Sequence, residues 1–194
     1  MKKITIITLC LLALGTTVFA YDMSVGFGGV FGLVNDKWEN RIYPSGDIAD
    51  WYFKRMQYGG FAFFGTRYTD FNFTIKNSKN NVERIWKTGE NAGETENWDE
   101  EYLVLSVGGY VKYPFSFKSI AISPTIGVDF EGVESRLYIW LRGGLGLDVF
   151  LTERFFIRGQ ALYGYGVIIP LPDDNRTIIP GHAPLFKLGL GWMF

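Results

Sequence analysis

The chain has 194 residues and a formal net charge of −1, with 19 basic and 20 acidic side chains. That balance leaves no basic surplus for nucleic acid, and the length suits one domain. The 24 glycines and the 18% aromatic content are what set it apart from an ordinary globular composition.

The first residues, MKKITIITLCLLALGTTVFA, place Lys2 and Lys3 before an apolar stretch from Ile4 to Leu14. Val18-Phe19-Ala20 then resembles a cleavage site. The pattern predicts a secretory signal over residues 1–20 and a mature domain over 21–194. Gly15, Thr16 and Thr17 interrupt the apolar stretch too early for a membrane helix, which needs about 20 apolar residues. Cys10 is the single cysteine and leaves with the signal, so the mature chain has no disulfide or thiol to use. Leu9 before it is not the small residue of a lipoprotein anchor.

From Tyr21 onward apolar residues recur with period two, the mark of strands with two different faces. In the first strand Tyr21, Met23, Val25, Phe27, Phe31 and Leu33 share a face with Gly29. Asp22, Ser24, Gly26, Gly28 and Gly32 lie opposite with Val30 and Val34. The second, about Arg55 to Tyr68, sets Met56, Tyr58, Ala62 and Phe64 against Arg55, Gln57, Gly59 and Arg67. Phe61 and Phe63 fall on its polar side. The third sets Phe71, Phe73 and Ile75 against Asp70, Asn72, Thr74 and Lys76. The fourth sets Leu103, Leu105, Val107 and Val111 against Tyr102, Ser106, Gly108 and Lys112.

The fifth predicted strand has Ile120, Ile122, Ile126, Val128 and Phe130 against Ala121, Ser123, Thr125, Gly127 and Asp129. Pro124 sits in its middle on the apolar side, where a ladder donor is lost and a bulge or kink is expected. The sixth sets Leu137, Ile139, Leu141, Leu145, Leu147 and Val149 against Arg142, Gly144, Gly146 and Asp148. The seventh sets Phe155, Ile157, Ala161, Tyr163, Tyr165 and Val167 against Arg158, Gln160, Gly164 and Gly166. The eighth sets Phe186, Leu188, Leu190, Trp192 and Phe194 against Lys187, Gly189, Gly191 and Met193.

Connections near TRYTD, PFSFK and TER are short. Those over residues 35–54, 77–100 and 169–184 are predicted to be long polar loops, with 131–136 briefer. Short turns on one side and longer loops on the other describe an all-β, eight-stranded, antiparallel, up-and-down transmembrane β-barrel, with both termini on the periplasmic side. A soluble barrel would point its apolar face inward and coat its outside with large hydrated side chains. Here the polar face is mostly Gly, Ser and Ala with isolated charges, which suits the crowded interior of eight strands. The apolar face is the bulky one. Tyr113, Phe155, Trp192 and Phe194 gather near the short turns as an interfacial girdle would.

The terminal run KLGLGWMF resembles the C-terminal assembly signal of bacterial outer-membrane proteins, with Lys187, Gly189, Trp192 and Phe194 filling its positions. Residues 143–166, GGLGLDVFLTERFFIRGQALYGYG, resemble the penultimate hairpin of small barrels of the OmpA/OmpW/OmpX type. The resemblance implies partners: outer-membrane lipid, and the assembly machinery through the last strand.

On the lumen side Arg55, Arg67, Lys112, Arg142, Arg158 and Lys187 face Asp70, Asp129 and Asp148, and such charges are expected to pair. Asp129, Arg142, Asp148 and Arg158, from adjacent strands, are the predicted ionic network. A plug that stabilises the barrel is the first reading of it, and a narrow OmpW-like channel for small solutes, hydrophobic ones among them, is the second. His182 is the only histidine. It falls in the last predicted loop with no acid or serine at a telling spacing, so no enzyme is expected, and a lipid-modifying barrel is the remote alternative. No cofactor or metal is expected either. The glycine runs lack the helix that a phosphate cradle needs. Trp38, Tyr43, Trp51 and Tyr52 make the first loop aromatic. It could cap the mouth, touch lipid headgroups or hold an extracellular ligand.

Overall fold

A computed structural model describes residues 23–133, 136–170 and 180–194. The predicted signal, residues 1–20, lies outside them. The elements are all strands: β1 (Ser24–Ile42), β2 (Ile48–Gly65), β3 (Thr69–Trp86), β4 (Thr95–Lys112), β5 (Phe115–Phe117), β6 (Ile120–Val133), β7 (Arg136–Phe150), β8 (Phe155–Pro170) and β9 (Pro180–Met193). Each pairs antiparallel with its neighbour; β1 closes on β9 and β4 on β6, so the sheet is a ring. β5 continues β4 past Pro114 and pairs with the same strand. The ring therefore has eight positions.

Burial alternates as the sequence implies. Ser24, Val30, Val34 and Asp36 of β1 are buried, while Phe27, Phe31 and Leu33 are exposed. The exposed apolar belt continues with Phe71, Phe73, Ile75, Leu105, Val107, Ile126, Leu141, Leu145, Phe186 and Leu188. An uncharged belt of this extent is stable only against hydrocarbon. Tyr113, Phe115, Phe117, Trp192 and Phe194 are exposed at the short-turn end. Phe194 N–H bonds to the Met23 carbonyl at 2.8 Å, so both described ends meet there.

Pro124 causes no bulge: its register against Leu145 runs through without a shift. Tyr113 N–H bonds to the Pro124 carbonyl at 3.1 Å, where β4 is about to leave the ladder at Pro114. The missing donor thus falls at the end of a ladder, where little pairing is forfeited.

Two predicted loops are mostly strand. β1 and β2 pair from Ser24↔Gly65 to Ile42↔Ile48, and β3 and β4 from Thr69↔Val111 to Ile85↔Thr95. The connections shrink to residues 43–47 and 87–94. A tilted strand crosses a bilayer in about 9–11 residues. With 18 or 19 residues each, β1 to β4 rise well beyond it. β6 to β9 are shorter, at 14 to 16 residues. One side of the barrel therefore carries a raised four-stranded wall. Polarity concealed this, because above the bilayer both strand faces can be polar and the period-two signal disappears.

Candidate functional site: the lumen and the raised wall

The lumen is filled in layers. Nearest the short turns Arg158 makes a fork to Asp148, Nε to Oδ1 and Nη2 to Oδ2, both at 2.7 Å. Arg158 Nη1 also reaches Asp70 Oδ1 at 3.0 Å, and Lys112 Nζ reaches the same oxygen at 2.7 Å. Asp148 and Arg158 stand directly opposite across β7 and β8, which makes the fork a register pair.

Higher up, Arg142 Nε bonds to Asp129 Oδ2, the Tyr110 hydroxyl donates to Asp129 Oδ1, and Arg142 Nη1 donates to the Ala183 carbonyl at 3.0 Å. Lys76 Nζ lies 2.7 Å from Glu131 Oε2 and 2.8 Å from Gln57 Oε1, and Gln57 Nε2 closes the triangle on Glu131 Oε1 at 2.9 Å. Above these, Arg55 pairs with Asp36 and lies 4.7 Å over the Tyr138 ring.

Of the predicted network, the structure joins Asp129 to Arg142 and Asp148 to Arg158, as two separate groups. It adds Asp36, Lys76, Gln57, Tyr110 and Glu131. Lys76 was legible from strand parity, whereas Asp36 and Glu131 were hidden because their positions read as loops. Arg67 is a correction: it is exposed in the turn between β2 and β3, beside the Tyr68 ring. Lys187 points inward too, but it lies over the rings of Tyr110 and Phe61, at 5.0 and 5.6 Å, rather than against a carboxylate.

Between these groups lie rings. Phe61, Phe63, Tyr110, Phe156, Leu162, Leu185 and Val30 form one buried cluster. Val34, Trp38, Phe53, Val82, Val104, Tyr138, Trp140 and Ala183 form another above it. The lumen glycines are their seats. A Cβ at Gly166 would land on the Trp140 indole, one at Gly191 on the Phe156 ring, one at Gly26 on Phe63 and one at Gly127 on Tyr110. The small side chains of one strand thus face large rings from another, and the space they leave is occupied. A cavity of about 250 Å³ remains at the short-turn end, among Ser24, Ser123, Lys112 and Arg158; Phe156 lines it and Phe63 packs behind.

On the raised wall, Arg41 and Arg84 are set among aromatic rings. Arg84 lies 4.7 to 5.9 Å from the rings of Trp86, Trp51, Trp98 and Tyr43, and Arg41 lies 4.6 Å from Trp51. Arg84 pairs with Glu96, which also accepts from the Trp86 indole at 2.8 Å. The indole bond first, then Arg84, hold the Glu96 carboxyl below the usual carboxylate range. The aromatic first loop of the sequence is therefore wall, with Trp38, Tyr43 and Trp51 packed on one another.

His182, expected in a loop, is a residue of β9. It is exposed on the outer face, Nδ1 2.9 Å from the Tyr163 hydroxyl and its ring 5.5 Å from Tyr165. Two tyrosines and a histidine there match an aromatic belt at the upper bilayer surface. Among the described residues no group of three or more His, Cys, Asp or Glu could hold a metal.

A closed antiparallel ring with a greasy outside and a polar, packed inside is an integral outer-membrane β-barrel. No family model and no curated protein matches the chain. Among solved structures it is similar to the outer membrane protein OprG from Pseudomonas aeruginosa, with a TM-score of 0.52 and 13% identity, covering 90% of this chain and 96% of that one. Neisserial surface protein A is a weaker likeness, at a TM-score of 0.45 and 15% identity over 89% and 97% of the two chains. At 13% identity the likeness to OprG speaks for the fold alone.

Proposed function

We propose that the protein is a closed, non-enzymatic barrel that anchors a stiff raised sheet at the cell surface, where the sheet makes contacts with extracellular partners. The observation that carries this reading is the filled lumen. Gln57 and Glu131 are fully buried at its centre and Asp70 is fully buried nearer the short turns, and rings occupy the glycine seats around them. The glycine-rich face that invites a channel reading is thereby used for packing. Reconstituted in planar bilayers, the protein should give no conductance above lipid alone; stable unitary currents would establish the narrow channel instead.

Two further roles belong to this proposal. Residues 1–20 serve as the secretory signal. In the terminal strand Trp192 and Phe194 face outward while Lys187 and Gly189 face inward, an alternation that would let assembly machinery read one face while the other closes the lumen.

A further inference from the structure

The pairing of β4 ends abruptly. Its partner β6 accompanies it only from Lys112↔Thr125 to Leu105↔Gly132, whereas β3 accompanies it to Thr95. Among the described residues, nothing pairs with the other edge of β4 over residues 95–101. The direction of the backbone groups follows from the ladder below. Lys112 N–H bonds to the Tyr68 carbonyl on the β3 side, and Tyr113 N–H to the Pro124 carbonyl on the β6 side. The register with β3 has no shift, so even-numbered residues serve β3 and odd-numbered ones point away. Thr95, Asn97, Asp99 and Glu101 therefore present their N–H and C=O groups along the open edge, above the last outward apolar residue, Leu103. Such a row is a template for another strand.

The side chains select which strand. Asp99 and Glu101 lie on the outer face of the wall, Glu96 and Glu100 on the inner. Three asparagines of β3 hold three of these in place: Asn77 to Glu101 at 2.6 Å, Asn80 to Glu100 at 3.2 Å and Asn81 to Asp99 at 3.0 Å. Cations are fewer: Arg84 pairs with Glu96, and Lys79 lies 4.0 Å from Glu101. A second copy in the same membrane would bring its β4 alongside in the same direction, setting carboxylates beside carboxylates, which disfavours pairing.

We infer that the open β4 edge accepts an extended, cationic segment of a partner protein as an added strand, pairing with the backbone at Thr95, Asn97, Asp99 and Glu101. This rests on the surface-contact reading above and names its partner chemistry. A strand with Lys or Arg on both faces satisfies the carboxylates, while its backbone supplies the missing ladder.

The test uses the full barrel in detergent micelles and a short synthetic peptide of adjacent lysine pairs separated by valine and threonine, so that lysines fall on both faces of the strand. Binding should slow amide exchange at Asn97, Asp99 and Glu101 and weaken as salt rises. Asn97→Pro removes one outward donor while leaving the β3 ladder and every charge in place, so it should weaken binding about tenfold or more. The pair Asp99→Asn and Glu101→Gln keeps the backbone edge and should weaken it at low salt by a similar factor. Heat-modifiable migration on gels confirms that each variant is a folded barrel. Absence of binding, equal binding to Asn97→Pro, equal binding of a glutamate-substituted peptide, or cross-linking of two β4 edges would each overturn the inference. A conducting barrel that still takes the peptide at this edge would instead retire only the closed-lumen reading.

Discussion

The raised wall continues four of the eight strands that form the lower barrel, yet the two regions hold their charges in opposite ways. Within the bilayer, every carboxylate named in the lumen meets a cation at close range, and the side chains of Arg142, Lys76 and Glu131 are at most 1% exposed. On the wall, Arg84 and Glu96 are 20% and 39% exposed, and Lys79 and Glu101 more than half. A charge in the packed middle of the lumen, away from the short-turn cavity, has no water to fall back on, so its partner is obligatory; a charge on the wall does, so its pairing is optional. The lumen groups are thereby suited to holding one structure, and those on the wall to exchanging partners.

Asp129→Ala should show this contrast most strongly. It strands the Arg142 guanidinium and the Tyr110 hydroxyl in the lumen, and a loss of about 3–5 kcal/mol is expected from urea unfolding in lipid vesicles. A change below about 1 kcal/mol would mean that water reaches Arg142, and the lumen would not be closed.

Next in size is Gly166→Val. The added side chain displaces the Trp140 indole from its seat, and about 1–3 kcal/mol should be lost to overpacking. Tryptophan emission shifted to the red would accompany it. An unchanged spectrum and stability would show that the glycines leave true free space.

The smallest effect belongs to the wall. Glu96 is held below its ordinary value of 4.5 by the Trp86 indole and Arg84. A carboxyl lowered in the folded state contributes fully above its unfolded value and loses that contribution as pH falls through the folded one. Near-ultraviolet dichroism from the wall tryptophans should therefore hold from neutral pH down to about pH 5 and decline below about pH 4. Glu96→Gln should remove the transition at a stability change under about 1 kcal/mol, since the pair is exposed. A transition that survives Glu96→Gln would assign it elsewhere.

How much of this was legible beforehand differs between the same two regions. In the bilayer, lipid on one side and a packed lumen on the other enforce alternation, so Phe27 against Gly28 and Leu141 against Arg142 could be sorted by eye. The pairing of Asp148 with Arg158 could be guessed from adjacent strands, because register places them directly opposite. Above the bilayer the outer face meets water and carries Lys37, Lys79 and Asn81, while the buried inner face mixes polar Asp36, Ser78 and Asn80 with Trp38 and Val82. The apolar alternation therefore fades, and residues 35–42 and 77–86 looked like loop although they are ladder. Asp36 was overlooked for that reason.

By itself, then, the chain's residue order determined the ring, its greasy exterior and which small and charged groups turn inward, because hydrocarbon tolerates only one arrangement of those faces. Only the tertiary structure decided that the glycines seat rings from distant strands, which cations meet which carboxylates, and that β4 outruns its neighbour. Those depend on register and strand length summed around a closed ring, and neither leaves a local mark on the sequence.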